Sequence, residues 1–327
     1  MKPPFTITND ILNLSTDITL LLGKYEGLSL PTGQAGLPIP KPELRKHTKI
    51  RTIQSSLAIE GNTLTIEQVT DIINNKRVVG PKKDILEVKN AIKAYDHLPK
   101  FDPESLKSLL MAHKILMEGI IPNAGKLRIK NVGVHSGTKI IHMAPKYTQV
   151  PQLIDNLFQF LKNEKNLHPL IKSSAFHYEL EFIHPFIDGN GRIGRLWQSV
   201  ILYHYRNVFE YIPVETAIKN RQGDYYDALQ ESNKLGESTV FIHFMLEIIK
   251  QATLDFAKEV KPKHQTSAMR IEMAKERFGK KEFTRKDYLV MFDHISTATA
   301  SRDLLFGVKS NILNKRGEKS LTKYKFV

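Results

Sequence analysis

Apolar positions recur three and four apart along most of this chain, the spacing that gives a helix one buried face. The first such stretch runs from Ile11 to Leu22. A Pro- and Gly-rich stretch from Leu28 to Pro42 follows and reads as an extended arm or linker. The next helix is predicted over Pro42–Ile59, closed by Gly61-Asn62, because glycine takes the left-handed turn that ends helices. Thr65-Ile66-Glu67-Gln68 is a capping-box pattern opening another helix, and Asp84–Leu98 and Pro103–Met117 continue the series. At Gly125-Lys126-Leu127-Arg128 the period changes. Val132, Val134, Ile140 and Ile141 around Ser136-Gly137-Thr138 predict a short β-hairpin. Helical spacing resumes over Val150–Leu161, Leu170–Ile183, Gly194–Tyr205, Asp224–Leu235 and Thr239–Val260.

Lys261-Pro262-Lys263-His264 is Pro-bearing and charged, and composition shifts after it, so it reads as a domain boundary. Beyond it come helices over Ser267–Phe278, Thr284–Met291 and Ser296–Phe306, then two short strands around Gly317. Three helices and a hairpin are the order of a winged helix-turn-helix. The expected fold class is mainly α, with a helical core, a short β-hairpin flap and a small C-terminal winged helix-turn-helix. The expected domains are residues 1–100, a helical region; 101–260, the core; and 261–327, the C-terminal module.

Composition narrows the function classes. The chain has no cysteine, which excludes disulfides and thiolate metal sites and fits a reducing cytoplasm. No apolar run approaches the roughly 18–20 residues needed to span a bilayer, and Met1-Lys2-Pro3-Pro4 does not open a signal peptide. The expectation is a cytoplasmic protein with no membrane partner. The formal net charge is +14, a field that attracts polyanions. From Lys258 to Val327 there are 17 Lys/Arg against 8 Asp/Glu, so this last fifth carries most of the surplus.

Unusual chemistry concentrates between His184 and Arg195: His184-Pro185-Phe186-Ile187-Asp188-Gly189-Asn190-Gly191-Arg192-Ile193-Gly194-Arg195. Glycines let backbone N–H groups come close to a ligand, and successive N–H groups make an anion-binding nest. The helix that follows adds a dipole favouring phosphate. Arg192 and Arg195 supply bidentate donors for phosphate oxygens. A carboxylate beside phosphates, Asp188, is what Mg²⁺ needs. A neutral histidine takes a proton from a hydroxyl near neutral pH. Together these describe phosphoryl or nucleotidyl transfer. Gly189, Gly191 and Gly194 also match a dinucleotide fingerprint, but helical spacing precedes them where that fingerprint needs a strand. His177, Glu181 and His184 share one helix face at metal-ligand spacing; without a clear further ligand, His177 reads as a core residue.

The twelve residues match in full the His-Pro-Phe-x-Asp-Gly-Asn-Gly-Arg-x-Gly-Arg signature of the Fic family, and the resemblance extends over most of Pro42–Val260. It implies an all-α fold around two helices joined by this loop, with AMP transferred from ATP to a Ser, Thr or Tyr hydroxyl. His184 would be the general base. Asp188 would hold Mg²⁺ at the phosphates. Asn190, with the N–H groups of Gly189 and Gly191, would form the anion hole. Arg192 and Arg195 would neutralise the outer phosphates, with Ile193 and Gly194 completing the nucleotide-binding segment. Phe186 would anchor the loop inward. Tyr225, Tyr226 and Asn233 resemble the adenine-contacting helix, and Lys139-Ile140-Ile141-His142 resembles the flap, whose backbone would pair with a target strand.

Ser56-Leu57-Ala58-Ile59-Glu60-Gly61 resembles the family's inhibitory motif. Ser56 and Glu60 share a helix face, and Glu60 is expected to pair with Arg195, so that ATP binds unproductively. In some members the same glutamate positions water for AMP removal. The expected partners are a target protein, the chain itself, a second copy in a homodimer, and DNA through residues 262–327. For DNA, Ser296–Arg302 would enter a groove, and Lys315, Arg316, Lys319, Lys323 and Lys325 would meet phosphates. Two other readings stand beside the autoinhibited transferase. One is a DNA-binding transcription regulator whose core senses nucleotide without turnover; the intact His184 speaks against it. The other moves UMP, phosphate or phosphocholine; the loop departures marking some of those branches are absent.

Overall fold

The computed structural model describes residues 3–26, 42–136, 139–260, 266–292, 295–318 and 321–327. The proline-rich stretch of 28–42 and the expected boundary at 261–264 lie almost wholly outside them. Contacts divide the chain into two units. The described residues up to 23 and from 42 to 257 make the first, and residues 24–26 with those from 258 onward make the second.

In the first unit, α1 (Asn9–Glu26), α2 (Pro42–Ile59), α3 (Ile66–Ile73), α4 (Lys82–Asp96) and α5 (Leu106–Met117) precede a two-stranded antiparallel ribbon, β1 (Gly133–Ser136) and β2 (Lys139–Met143). Then come α6 (Val150–Asn163), α7 (Pro169–Ile183), α8 (Asn190–Tyr205), α9 (Val214–Asn220), α10 (Gln222–Leu235) and α11 (Thr239–Val260). Thr65 and Gln68 close the predicted capping box reciprocally at the start of α3. The ribbon pairs Gly133 with Met143 and Ser136 with Lys139, its register shifting between Val134 and His135. Across residue 100, α2 packs on α8 and α9, and α4 packs on α5.

The centre is the α7–α8 pair. Ser173, Ser174, Ala175, Phe176, His177 and Tyr178 of α7 are all buried, so the helix is enclosed rather than one-faced. The Ser173 and Ser174 hydroxyls donate back to the Leu170 carbonyl, which satisfies them without outside partners. On α8, Ile193, Leu196, Trp197 and Val200 are fully buried.

The second unit holds α12 (Ser267–Phe278), β3 (Phe283–Thr284), α13 (Arg285–Met291), α14 (Thr297–Lys309), β4 (Leu313–Arg316) and β5 (Lys323–Phe326). Its strands form an antiparallel sheet in the order β3-β5-β4. The order of three helices and a closing hairpin is the predicted one. Its core gathers Ile271, Phe283, Tyr288, Phe292, Leu304, Leu313 and Phe326. Inside it Asp303 accepts two bonds from Arg270, at 2.6 and 2.8 Å, and Tyr288 donates to the same carboxylate at 3.4 Å.

Candidate active site

α7 ends at His184, which stands in the left-handed region at φ +49° with its N–H donating to the Leu180 carbonyl. A non-glycine residue there is uncommon and is held by its surroundings. Buried Arg128 supplies the hold. Its Nε donates to the His184 carbonyl at 2.8 Å, and its other nitrogens donate to the carbonyls of Lys130, Pro145 and Ile183. Its own N–H donates to Pro185 O. The His184 Nδ1 lies 3.3 Å from the Glu181 carbonyl; an N–H donated there makes Nε2 the basic nitrogen.

Phe186 is fully buried and stacks on His113 with ring centroids 3.6 Å apart. The Gly125 N–H donates to His113 Nδ1, so Nε2 carries the proton and donates to the Asp188 carbonyl at 2.9 Å. Burial, the largest influence, pushes the His113 pKa down to about 4, so the ring is neutral at pH 7.

α8 begins at Asn190, earlier than the apolar spacing placed it. Of the loop's three glycines only Gly189 has positive φ, at +84°. The other two lie inside the helix and answer to close approach rather than turning. A Cβ on Gly191 would stand 2.4 Å from a Glu60 oxygen, and one on Gly194 would stand 2.6 Å from a Glu181 oxygen. The expected run of turning glycines is therefore one turn followed by a helix N-terminus.

Two charged networks meet there. Arg195, almost wholly buried, donates through Nε to the Ser56 hydroxyl, and through Nη2 to the Ser56 carbonyl at 2.9 Å and to Glu60 Oε1 at 2.8 Å. Burial opposes its charge; Glu60 and then Tyr225 outweigh it, so its pKa ends above the usual value. Gly61, at φ +87°, ends α2 immediately after Glu60. Arg192 donates through Nη1 to Glu87 Oε1 and through Nη2 to Asp188 Oδ1, both at 2.8 Å. Asp188 Oδ1 also accepts the Gly189 N–H.

Several expected site residues stand differently. The Asn190 amide is spent on the loop: its oxygen accepts the Phe186 N–H at 2.9 Å and its nitrogen donates to the Phe186 carbonyl at 3.0 Å. Both bonds shape the turn. Ile193 is fully buried, and Gly194 faces α7. Tyr225 is buried among His177, Phe241 and Phe244, with its hydroxyl 3.1 Å from His177 Nε2. Tyr226 is 40% exposed; partial burial and then the Glu60 charge raise its pKa. Asn233 accepts the Tyr178 hydroxyl at 2.9 Å. His177 spends both ring nitrogens on Gln198 and Tyr225, as a core histidine does. Lys139, Ile140, Ile141 and His142 form strand β2, the backbone expected of the flap.

Glu87, His113 and Arg128 support the loop and were not singled out from the sequence. In the sequence His113 is one polar position in an apolar helix and Glu87 one charge on another, and neither pattern marks a site. Arg128 marked only a change of period.

The chain matches the Fic/DOC family over residues 103–202. It is 31% identical over 220 residues to the protein adenylyltransferase Fic of Culex quinquefasciatus, covering 64% of this chain and 42% of that protein. It is 29% identical over 229 residues to that of Nematostella vectensis, covering 66% and 50%. The chain thus spans about half, or less, of the length of these curated relatives. Among solved structures, a Fic family protein from Desulfovibrio desulfuricans G20 is 36% identical with a TM-score of 0.74, covering 100% of this chain and 98% of that one. Fic-1 from C. elegans shares the fold at 21% identity and a TM-score of 0.60, over 77% of this chain and 73% of that one. With its loop, its central helix pair and a full-length match to a Fic family structure, this chain belongs to the Fic family.

Proposed function

We propose that this protein transfers AMP from ATP to a hydroxyl of a target protein or of itself, and that at rest Glu60 holds the site inhibited. The observation that carries this is the place of the Glu60 carboxylate. It lies against Gly191 in the first turn of α8 and is bonded to Arg195, where a helix N-terminus and a guanidinium together attract phosphate.

In the proposed reaction His184 takes the proton of the target hydroxyl as its oxygen bonds to the α-phosphorus. The bond from that phosphorus to the bridging oxygen breaks, and its electron pair leaves with pyrophosphate. Arg195, released from Glu60, and Arg192 meet the charge on the outer phosphates, while backbone N–H groups at the start of α8 hold the α-phosphate. The residues present fit Mg²⁺, because Asp188 is 44% exposed at its side chain and both bonds it accepts fall on Oδ1. Asp188 would hold the ion among ATP oxygens, where it supplies charge neutralisation.

β2 is proposed to pair with an extended target segment. Tyr226 and Asn233 are proposed to border the adenine. The same Glu60 could position water for AMP removal; this second direction is favoured by its 29% side-chain exposure beside the loop. A homodimer and a cytoplasmic setting belong to this reading as well. The second unit is read as a winged helix whose α14 and hairpin meet DNA.

The test is mass spectrometry of purified protein with ATP and Mg²⁺. The Glu60→Gly protein should gain the mass of AMP, wild type should gain it slowly, and His184→Ala should not gain it. An unmodified Glu60→Gly protein, with and without candidate targets, would overturn the assignment.

A further inference from the structure

Arg192 is nearly as buried as Arg195, but a different helix holds it. Glu87 of α4 is 7% exposed and accepts Arg192 Nη1 on Oε1 at 2.8 Å. Its other oxygen, Oε2, accepts the side-chain amide of Asn62 at 2.8 Å. Asn62 is fixed in turn: its nitrogen also donates to the Asp84 carbonyl, and its oxygen accepts the Leu64 N–H. Lys83 approaches Glu87 only at 3.9 Å. Both Glu87 oxygens are therefore committed, in a pocket where an unpaired carboxylate would be costly.

The consequence lies on the other side of the guanidinium. Its side-on edge is the pair of Nε–H and Nη2–H, the fork that meets two oxygens of one phosphate. Nη2 donates to Asp188, and Nε is buried with no hydrogen-bond partner among the described residues. A buried charged donor left unmet is a costly group, and here it stands beside the residue proposed to hold the cation.

We infer that Glu87 is a positioning residue for Arg192: by taking Nη1 alone it fixes the guanidinium plane and presents the Nε/Nη2 edge to a phosphate of the bound nucleotide. Asn62 ties this support to the end of α2. Glu60 and Asn62 stand two residues apart, one on Arg195 and the other, through Glu87, on Arg192. The turn closing α2 thus handles both arginines, obstructing one and aiming the other. The inference rests on the reading that phosphates bind at the start of α8.

The test measures binding of ATP and of adenosine by calorimetry to the full chain carrying Glu60→Gly, with and without Glu87→Ala. Adenosine lacks the phosphates, so it separates aim from fold. ATP affinity should fall about tenfold, the loss expected for one misdirected charge-assisted fork, while adenosine affinity stays within about twofold. Equal losses for both ligands would make Glu87 merely structural, and an unchanged ATP affinity would also overturn its role. Where Glu87→Ala fails to fold by circular dichroism, Asn62→Ala replaces it. It should weaken ATP by about threefold relative to adenosine, as expected for one lost neutral donor, and no selective loss would overturn the inference. An AMP-transferring Glu60→Gly protein indifferent to Glu87 would sink this inference alone. A Glu60→Gly protein that binds no ATP would overturn the nucleotide reading beneath it.

Discussion

Arg270 and Arg195 are both buried and both held by a carboxylate, yet one pair is closed and the other half open. In the second unit Asp303 has no exposure, meets Arg270 through two nitrogens, and takes a further bond from Tyr288. In the first unit Glu60 offers one oxygen at 2.8 Å, keeps 29% of its side chain exposed, and sits in the turn that closes α2. Arg195 has a second hold in Ser56, which would keep two of its nitrogens satisfied in the proposed release of Glu60. A pair joining elements of a core is built closed. A pair that must part needs one member with an alternative and the other with access to water.

The largest effect tests the closed pair. Asp303→Ala strands Arg270 in the core and should cost the second unit about 3–5 kcal/mol, the usual loss when one member of a buried pair is removed. Urea unfolding followed by circular dichroism would show an early transition, with AMP transfer by Glu60→Gly protein unaffected in buffer. A loss under about 1 kcal/mol, the range of exposed pairs, would erase the contrast.

Acid should separate the units next. His113 has a pKa of about 4 in the fold against the ordinary 6.5. Above pH 6.5 both folded and unfolded chains carry it neutral. Between 6.5 and 4 only the unfolded chain takes the proton, so stability falls with pH: about 2 kcal/mol by pH 5 and about 3 kcal/mol below 4. For Asp303, burial pushes the carboxyl up, and bonds from Arg270 and Ser267 outweigh it, so its pKa ends below the ordinary 3.8. Its contribution is present above that value and is lost only as pH falls further. Urea midpoints at pH 7.5 and 5 should drop for the first unit, less so in His113→Gln. Equal midpoints for wild type at the two pH values would remove His113 from the argument.

The open pair should show in activity more than in stability. Glu60→Gly should raise AMP transfer on the order of a hundredfold, toward the upper range of coupling between sites. Its stability cost should stay at about 1–2 kcal/mol, one bond to a charged group. Labelled-ATP incorporation and urea unfolding on the same preparations check both halves. A large stability loss without faster transfer would make Glu60 a second closed pair.

How much of this could be read in advance follows from distance along the chain. The helices are legible because apolar spacing is local, whereas Ser56 and Glu60 stand out only through their resemblance to the family's inhibitory motif. The α8 start was misplaced, since Gly191 and Gly194 look like turn residues until Glu60 and Glu181 are seen pressing on them. The short helix α9 has too few residues for a period to show. For Tyr225, one helix face does not show that His177 and Phe241 are its neighbours. Glu87, His113 and Arg128 reach partners 105, 75 and 56 residues away, and no local pattern records such a bond.

The smallest effect asks what the closed pair holds steady. Arg270–Asp303 joins α12 to α14, and α14 carries Ser296, Thr297, Ala298 and Arg302 exposed around its first turns. Beside it Arg316 stands directly across the hairpin from Lys323, a like-charge pairing that weakens an isolated ribbon. Glu282 relieves Lys323 at 3.2 Å, and a phosphate backbone would relieve the rest. If duplex DNA is the partner, the affinity of the full chain for a labelled duplex should fall linearly with the logarithm of salt. Lys315→Ala and Arg316→Ala should each flatten that slope by about 0.9, one phosphate contact apiece, with little change between duplex sequences. Arg302→Ala should instead weaken one preferred sequence more than others, because a residue on a helix in the groove reads base edges. Binding that ignores salt would assign the rigid surface to protein contacts, and the closed pair would then steady an interface with a protein instead of one with a polyanion.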